Sequence, residues 1–141
     1  MSDIQRAIML LNENNYSSVF VKDDIEITTK EKGIKPLLDR VQADDVAGFC
    51  AADTVIGKAA ALFYVLLKVK KVYARLLSEE AKEILENEGI EVSYLRMVPY
   101  IKNRDRTDMC PMEKAVRQID SPEQAVFAVK EALRKMKKQK A

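Results

Sequence analysis

Residues 53–69, DTVIGKAAALFYVLLKV, decide how the rest of the chain is read. They form the longest apolar run in the sequence, and the run predicts a helix of about four turns. Ala59, Ala61, Leu62, Phe63, Val65, Leu66, Leu67 and Val69 leave that helix no polar face. A helix apolar around its whole circumference belongs against a sheet or a partner. Its opening differs: Asp53, Gly57 and Lys58 are polar or small where a core helix needs neither. The mouth of this helix is therefore the first place to look for a site.

Working upstream, 46–50 reads as a short buried strand that delivers the chain to Asp53. Residues 34–41 make two helical turns with Pro36 near the start, after Gly33 has broken the strand before it. The β-rich runs 18–22 and 25–29 flank Asp23-Asp24 and predict a hairpin, although no glycine supplies a positive φ there. Residues 2–14 place Ile4, Ile8 and Leu11 on one face of a short helix capped by Ser2 or Asp3.

Downstream, 71–77 alternates as a strand, Ser78 caps a helix opened by Glu79 and Glu80, and Gly89 ends it. A further strand runs over 90–94, extended toward Ile101 with a break at Pro99, and 102–108 is a polar loop. Pro111 opens a short helix, and Ser121-Pro122-Glu123-Gln124 is a capping box that starts the last one. This order predicts an α/β protein: one domain over 1–141, a three-layer α/β/α sandwich with a mixed five-stranded sheet, its antiparallel hairpin joined to parallel strands. Ligands in such sheets collect beyond the carboxyl ends of the strands.

Composition narrows the chemistry. The 141 residues include no histidine and two cysteines, so His-based triads, two-His metal motifs and paired CxxC zinc sites are ruled out. No EF-hand or clustered aspartate pattern occurs, and neither a metal nor a cofactor is expected. No secretory signal is read at the N-terminus, Lys58 and Lys68 interrupt the apolar run, and a cytoplasmic protein with no membrane contact is expected. Residues 130–141 carry six Lys or Arg and one Glu, while the other 18 basic and 21 acidic residues sum to −3. A basic last helix on a mildly acidic body is ordinary solvation and dipole compensation, and nucleic acid is not the expected partner.

Two helix mouths carry the candidate chemistry. In the first, Asp53 is expected as N-cap and partner of Lys58, while Gly57 and the alanines after it admit a ligand. Burial and the dipole both disfavour a charged amine there, the setting that makes a lysine a base or nucleophile. In the second, NRDRTDMCPMEKA at 103–115, Cys110 precedes a helix N-terminus, which favours a thiolate. Lys102, Arg104 and Arg106 lie upstream, so a phosphate or carboxylate fits this mouth; Asp108 and Glu113 complete the set, Glu113 doubling as a capping-box residue. Ser78-Glu79-Glu80 reads as plain capping, and Cys50 as a core residue.

AADTVIGKAAALF at 51–63 and MCPMEKAV at 109–116 resemble the two signature segments of an uncharacterised prokaryotic family, the domain of unknown function numbered 1893, and VFVKDDIEI and GIKPLLD fit as well. The resemblance implies a fold similar to cytidine deaminase. Zinc deaminases open one helix with His-Ala-Glu or Cys-Ala-Glu and the next with Pro-Cys-x-x-Cys. Here those helices open with Gly57-Lys58-Ala59-Ala60 and Ser78-Glu79-Glu80-Ala81, so zinc ligands and acid/base glutamate are both missing and deamination by zinc hydroxide is excluded. The expected function is binding of a small anionic or nucleotide-like metabolite at the helix N-termini, with metal-independent chemistry from Lys58, Asp53 and Cys110 and contacts from Gly57, Arg104, Arg106, Asp108 and Glu113. The alternative is a non-catalytic regulatory or protein-interaction module, and the all-apolar helix points to a homodimer.

Overall fold

The computed structural model describes residues 1–140. Its elements run α1 (Asp3–Glu13), β1 (Ser18–Lys22), β2 (Ile25–Thr29), α2 (Lys35–Ala43), β3 (Cys50–Ile56), α3 (Lys58–Leu67), β4 (Lys71–Ser78), α4 (Glu79–Asn87), β5 (Glu91–Val98), α5 (Pro111–Ala115) and α6 (Pro122–Lys140). The five strands form one mixed sheet in the order β2-β1-β3-β4-β5. β1 pairs antiparallel with both β2 and β3, whereas β3–β4 and β4–β5 are parallel. α1 packs on β1 and β3 from one side; α3 lies on the other with α2, α4 and α6 around it. This is the sandwich expected from the order of elements.

The 53–69 stretch is two elements rather than one. Thr54, Val55 and Ile56 are β-branched and continue β3, so the strand spans Cys50–Ile56 and not 46–50. Val46 is buried in the turn before it, where Phe49 N–H donates to its carbonyl. Gly57, still extended at φ −102° and ψ −169°, is the N-cap of α3, and the helix takes over at Lys58. Eight of the ten α3 residues are buried, because the sheet and the other helices enclose it. Its apolar circumference is thus satisfied within the chain and gives no ground for a second copy.

The hairpin turn forms without glycine: Asp23 itself takes φ 51°, a conformation Asp tolerates better than most residues. Helix α1 holds it, since Arg6 donates to the Asp23 carbonyl and Asp23 N–H to Asp3 Oδ2 at 3.3 Å. Ser2 and Gln5 make a reciprocal capping box on α1, and Ser78 receives Ala81 N–H at the start of α4. No helix among the described residues is long and apolar enough to cross a membrane.

Candidate functional site

The mouth of α3 is already filled by a side chain from elsewhere in the chain. A helix leaves its first N–H groups unpaired, and Gly57 has no side chain to receive them. Glu113, in α5, does so instead: Lys58 N–H donates to Oε1 at 2.7 Å and Ala59 N–H to Oε2 at 2.9 Å. The carboxylate therefore does not cap its own helix, the role its position suggests. It is 7% exposed, and burial pushes its pKa above the usual glutamate value against the pull of the two N–H groups. Glycine at 57 is what makes room: a Cβ there would stand 2.0 Å from Glu113 Oε1 and 2.7 Å from Ile101 Cγ1.

Lys58 turns away from this mouth. Its ammonium sits 3.1 Å from Glu80 and 3.5 Å from Asp120, and donates to the Arg117 carbonyl at 3.1 Å. The expected Asp53–Lys58 pair is not formed, because Asp53 lies on β3, four residues before the cap, and never reaches the helix terminus as N-cap. With three acceptors around it, Lys58 fastens the start of α4 and the α5–α6 turn to α3.

Asp53 has a different partner. Tyr64, on the second turn of α3, donates its hydroxyl to Asp53 Oδ2 at 2.7 Å, and Val55 N–H reaches Oδ1 at 3.3 Å. Among the described residues no cation balances this half-buried carboxyl, and burial pushes its pKa up to about 6 despite those hydrogen bonds. Burial and the neighbouring carboxylate together hold the Tyr64 hydroxyl well above its ordinary pKa. Sequence reasoning passed over Tyr64, although a tyrosine inside an otherwise apolar buried helix needs a partner for its hydroxyl.

Asp53 and Glu113 both border a cavity of about 610 Å³ at the carboxyl end of β3, within the range of small-molecule sites. Gly57, Ala59 and Ala60 give it a flat wall, with Ile34, Leu37, Ile101 and Met112 as apolar neighbours; Cys110 is half-buried beside them. Lys30, Glu31 and Lys32 of the β2–α2 loop, Arg75 and Arg104 bring charge to it. Arg75, which sequence analysis did not single out, also donates to the Leu11 carbonyl and Asn12 Oδ1.

The predicted set is thus only partly gathered. Asp53, Gly57, Arg104, Cys110 and Glu113 line the cavity, whereas Lys58, Arg106 and Asp108 do not. Arg106 sits exposed in the loop at φ 58°. Asp108 is exposed and pairs with Lys114, which, with Met109 N–H, holds its carboxyl below the usual range. Among the described residues no three His, Cys, Asp or Glu side chains gather as a metal ion would need.

Residues 6–133 match the model of a family described as a domain of unknown function (DUF1893). The chain belongs to this family. Its structure is similar to the crystal structure of a DUF1893 family protein from Thermotoga maritima, with a TM-score of 0.84 and 27% identity over 93% of this chain and 90% of that one. No curated protein matches the chain.

Two outcomes follow for this DUF1893 protein. Gly57→Ala should lower stability by about 2–3 kcal/mol in urea unfolding, through overpacking and loss of the Glu113 cap. Glu113→Ala in the same chain should recover part of that loss, and a doubly substituted protein no more stable than Gly57→Ala would refute the clash. Asp53 binds its proton more tightly folded than unfolded, so the native state holds more protons between about pH 4 and about 6, and stability falls as pH rises through that window. Asp53→Asn should flatten the fall and gain up to about 3 kcal/mol above it; unfolding midpoints measured across pH would show an unchanged slope if the assignment were wrong.

Proposed function

We propose that the cavity at the carboxyl end of β3 binds a small anionic, nucleotide-like metabolite. The observation that carries the reading is the set Lys30, Lys32, Arg75 and Arg104, four cations around one cavity, none with a carboxylate within ion-pair distance among the described residues. Unpaired cations converging on an apolar pocket favour an anion that brings an apolar body with it. The anion belongs at these cations and not at the α3 terminus, where Glu113 would repel it. Kinship with the deaminase fold is part of the same proposal, supported by an α3 that follows β3 directly and opens onto the cavity. Asp53 and Cys110 are the candidate reactive groups in its lining, and Lys58, held by Glu80, Asp120 and the Arg117 carbonyl, is not among them.

A second reading, an interaction module, is favoured by the edge strand β5: Leu95 is 69% exposed, Tyr94 and Met97 are also exposed, and Tyr100 just beyond the strand is exposed as well. Sedimentation as a monomer at every concentration, with no partner recovered, would remove it.

The first reading is tested by calorimetric titration of adenosine 5′-monophosphate and inorganic pyrophosphate. Arg104→Ala should weaken binding about tenfold or more, the usual loss of a charge-assisted hydrogen bond, and raised salt should weaken it further. An Arg104→Ala protein that binds as wild type does, or a wild type that binds neither anion, overturns the reading.

A further inference from the structure

We infer that the bound molecule points a hydrogen-bond donor at Asp53, and that it is a nucleoside phosphate whose base carries an exocyclic amino group. This deepens the reading of the cavity just given and rests on it.

The hydroxyls of Ser17 and Thr54 both border the cavity, yet their hydrogens are spent on the chain's own carbonyls. Ser17 donates to Glu31 O at 2.5 Å and lies 3.1 Å from Thr29 O, and Thr54 donates to Ser17 O at 3.4 Å. Glu113 uses both carboxylate oxygens on α3. Asp53 likewise accepts one hydrogen bond on each oxygen, but it is half-buried where Glu113 is 7% exposed, and its Val55 contact is long at 3.3 Å, so it is the wall carboxylate more open to a ligand. A carboxylate accepts at about four positions, and only Tyr64 O–H and Val55 N–H are taken up. The half-buried wall therefore offers the Asp53 carboxylate beside the Tyr16 and Ser18 hydroxyls, which accept as well as donate, and Arg75, whose guanidinium is tied to Leu11 and Asn12; Lys30, Lys32 and Arg104 stand exposed around it.

A ligand that satisfies both carries N–H groups at its inner end and negative charge at its outer end. The side-chain-poor face of Gly57, Ala59 and Ala60 lines the same cavity and suits a planar ring. An amino-substituted heterocycle on a phosphorylated sugar has these three parts. A base that offers a carbonyl at the same place sets oxygen against oxygen.

The test compares adenosine with inosine 5′-monophosphate, equal in charge and size but with an amino group in one where the other has a carbonyl. Cytidine and uridine 5′-monophosphate repeat the comparison on the smaller ring. Titrations run at about pH 8, where Asp53 is ionised, in wild type and in Asp53→Asn, whose amide still accepts from Tyr64 and adds a donor. The amino member of at least one pair should bind about tenfold tighter to wild type, since a site built around a hydrogen bond rejects the analogue lacking it. Asp53→Asn should erase or invert that ratio. Equal binding of both members overturns this inference and leaves the anion-binding reading standing; a preference that survives Asp53→Asn also overturns it. No binding of any of the four overturns both.

Discussion

The contact on which the other contacts at this end of the sheet depend is a single carboxylate on the first two N–H groups of α3. Gly57 cannot receive those N–H groups, and no larger residue fits at 57, because Glu113 and Ile101 occupy the space a Cβ would need. The cap therefore comes from 55 residues further on. A buried carboxylate is costly by itself, but here two charge-assisted hydrogen bonds and the positive end of the helix offset the cost. The same residue that donates its backbone N–H to Glu113 sends its side chain the other way, to Glu80, Asp120 and the Arg117 carbonyl. Lys58 and Glu113 thus bind the 110–120 segment to α3 at two points, and the wall made by Ile101, Cys110 and Met112 is set by that attachment.

Much of the architecture was legible because it rests on local chemistry. Ser2 with Gln5, Ser78, Gly89 and Pro111 mark element ends through their own backbone preferences, and both hairpin strands begin and end where their β-branched runs do. The boundary at Gly57 was lost for a physical reason. Val55-Ile56 and the α3 residues after Lys58 are both apolar, so hydrophobicity alone does not divide them, whereas β-branching on one side of the glycine and its near-absence on the other does. The site was legible only as an inventory. Asp53, Gly57, Arg104, Cys110 and Glu113 were picked out as residue types near helix ends, but the pairings of Asp53 and Glu113 link positions 11 to 55 residues apart and depend on how α5 folds back over α3. Asp53 and Lys58 looked like partners from proximity in sequence, and the strand-to-helix junction sends them in different directions.

What distinguishes Asp53 from the other buried polar groups is that the fold does not need its charge. Lys58 has three acceptors around its ammonium and Glu113 holds the two first N–H groups of α3, so removing either leaves orphaned groups behind. Asp53 receives a hydroxyl and one long N–H contact, and an asparagine oxygen would still accept from Tyr64 while giving up the long Val55 contact. Keeping a carboxyl there raises its pKa to about 6, so at neutral pH the folded protein carries an ionised, half-buried and unpaired group that lowers its stability. Destabilising groups of this kind concentrate where a site needs them. The cost makes sense if the partner missing from Asp53 within the chain arrives from outside it. On that proposal the open acceptor positions, the side-chain-poor α3 face and the exposed cations would belong to one binding surface, and the Glu113 cap would keep an anion away from the helix and out at the rim.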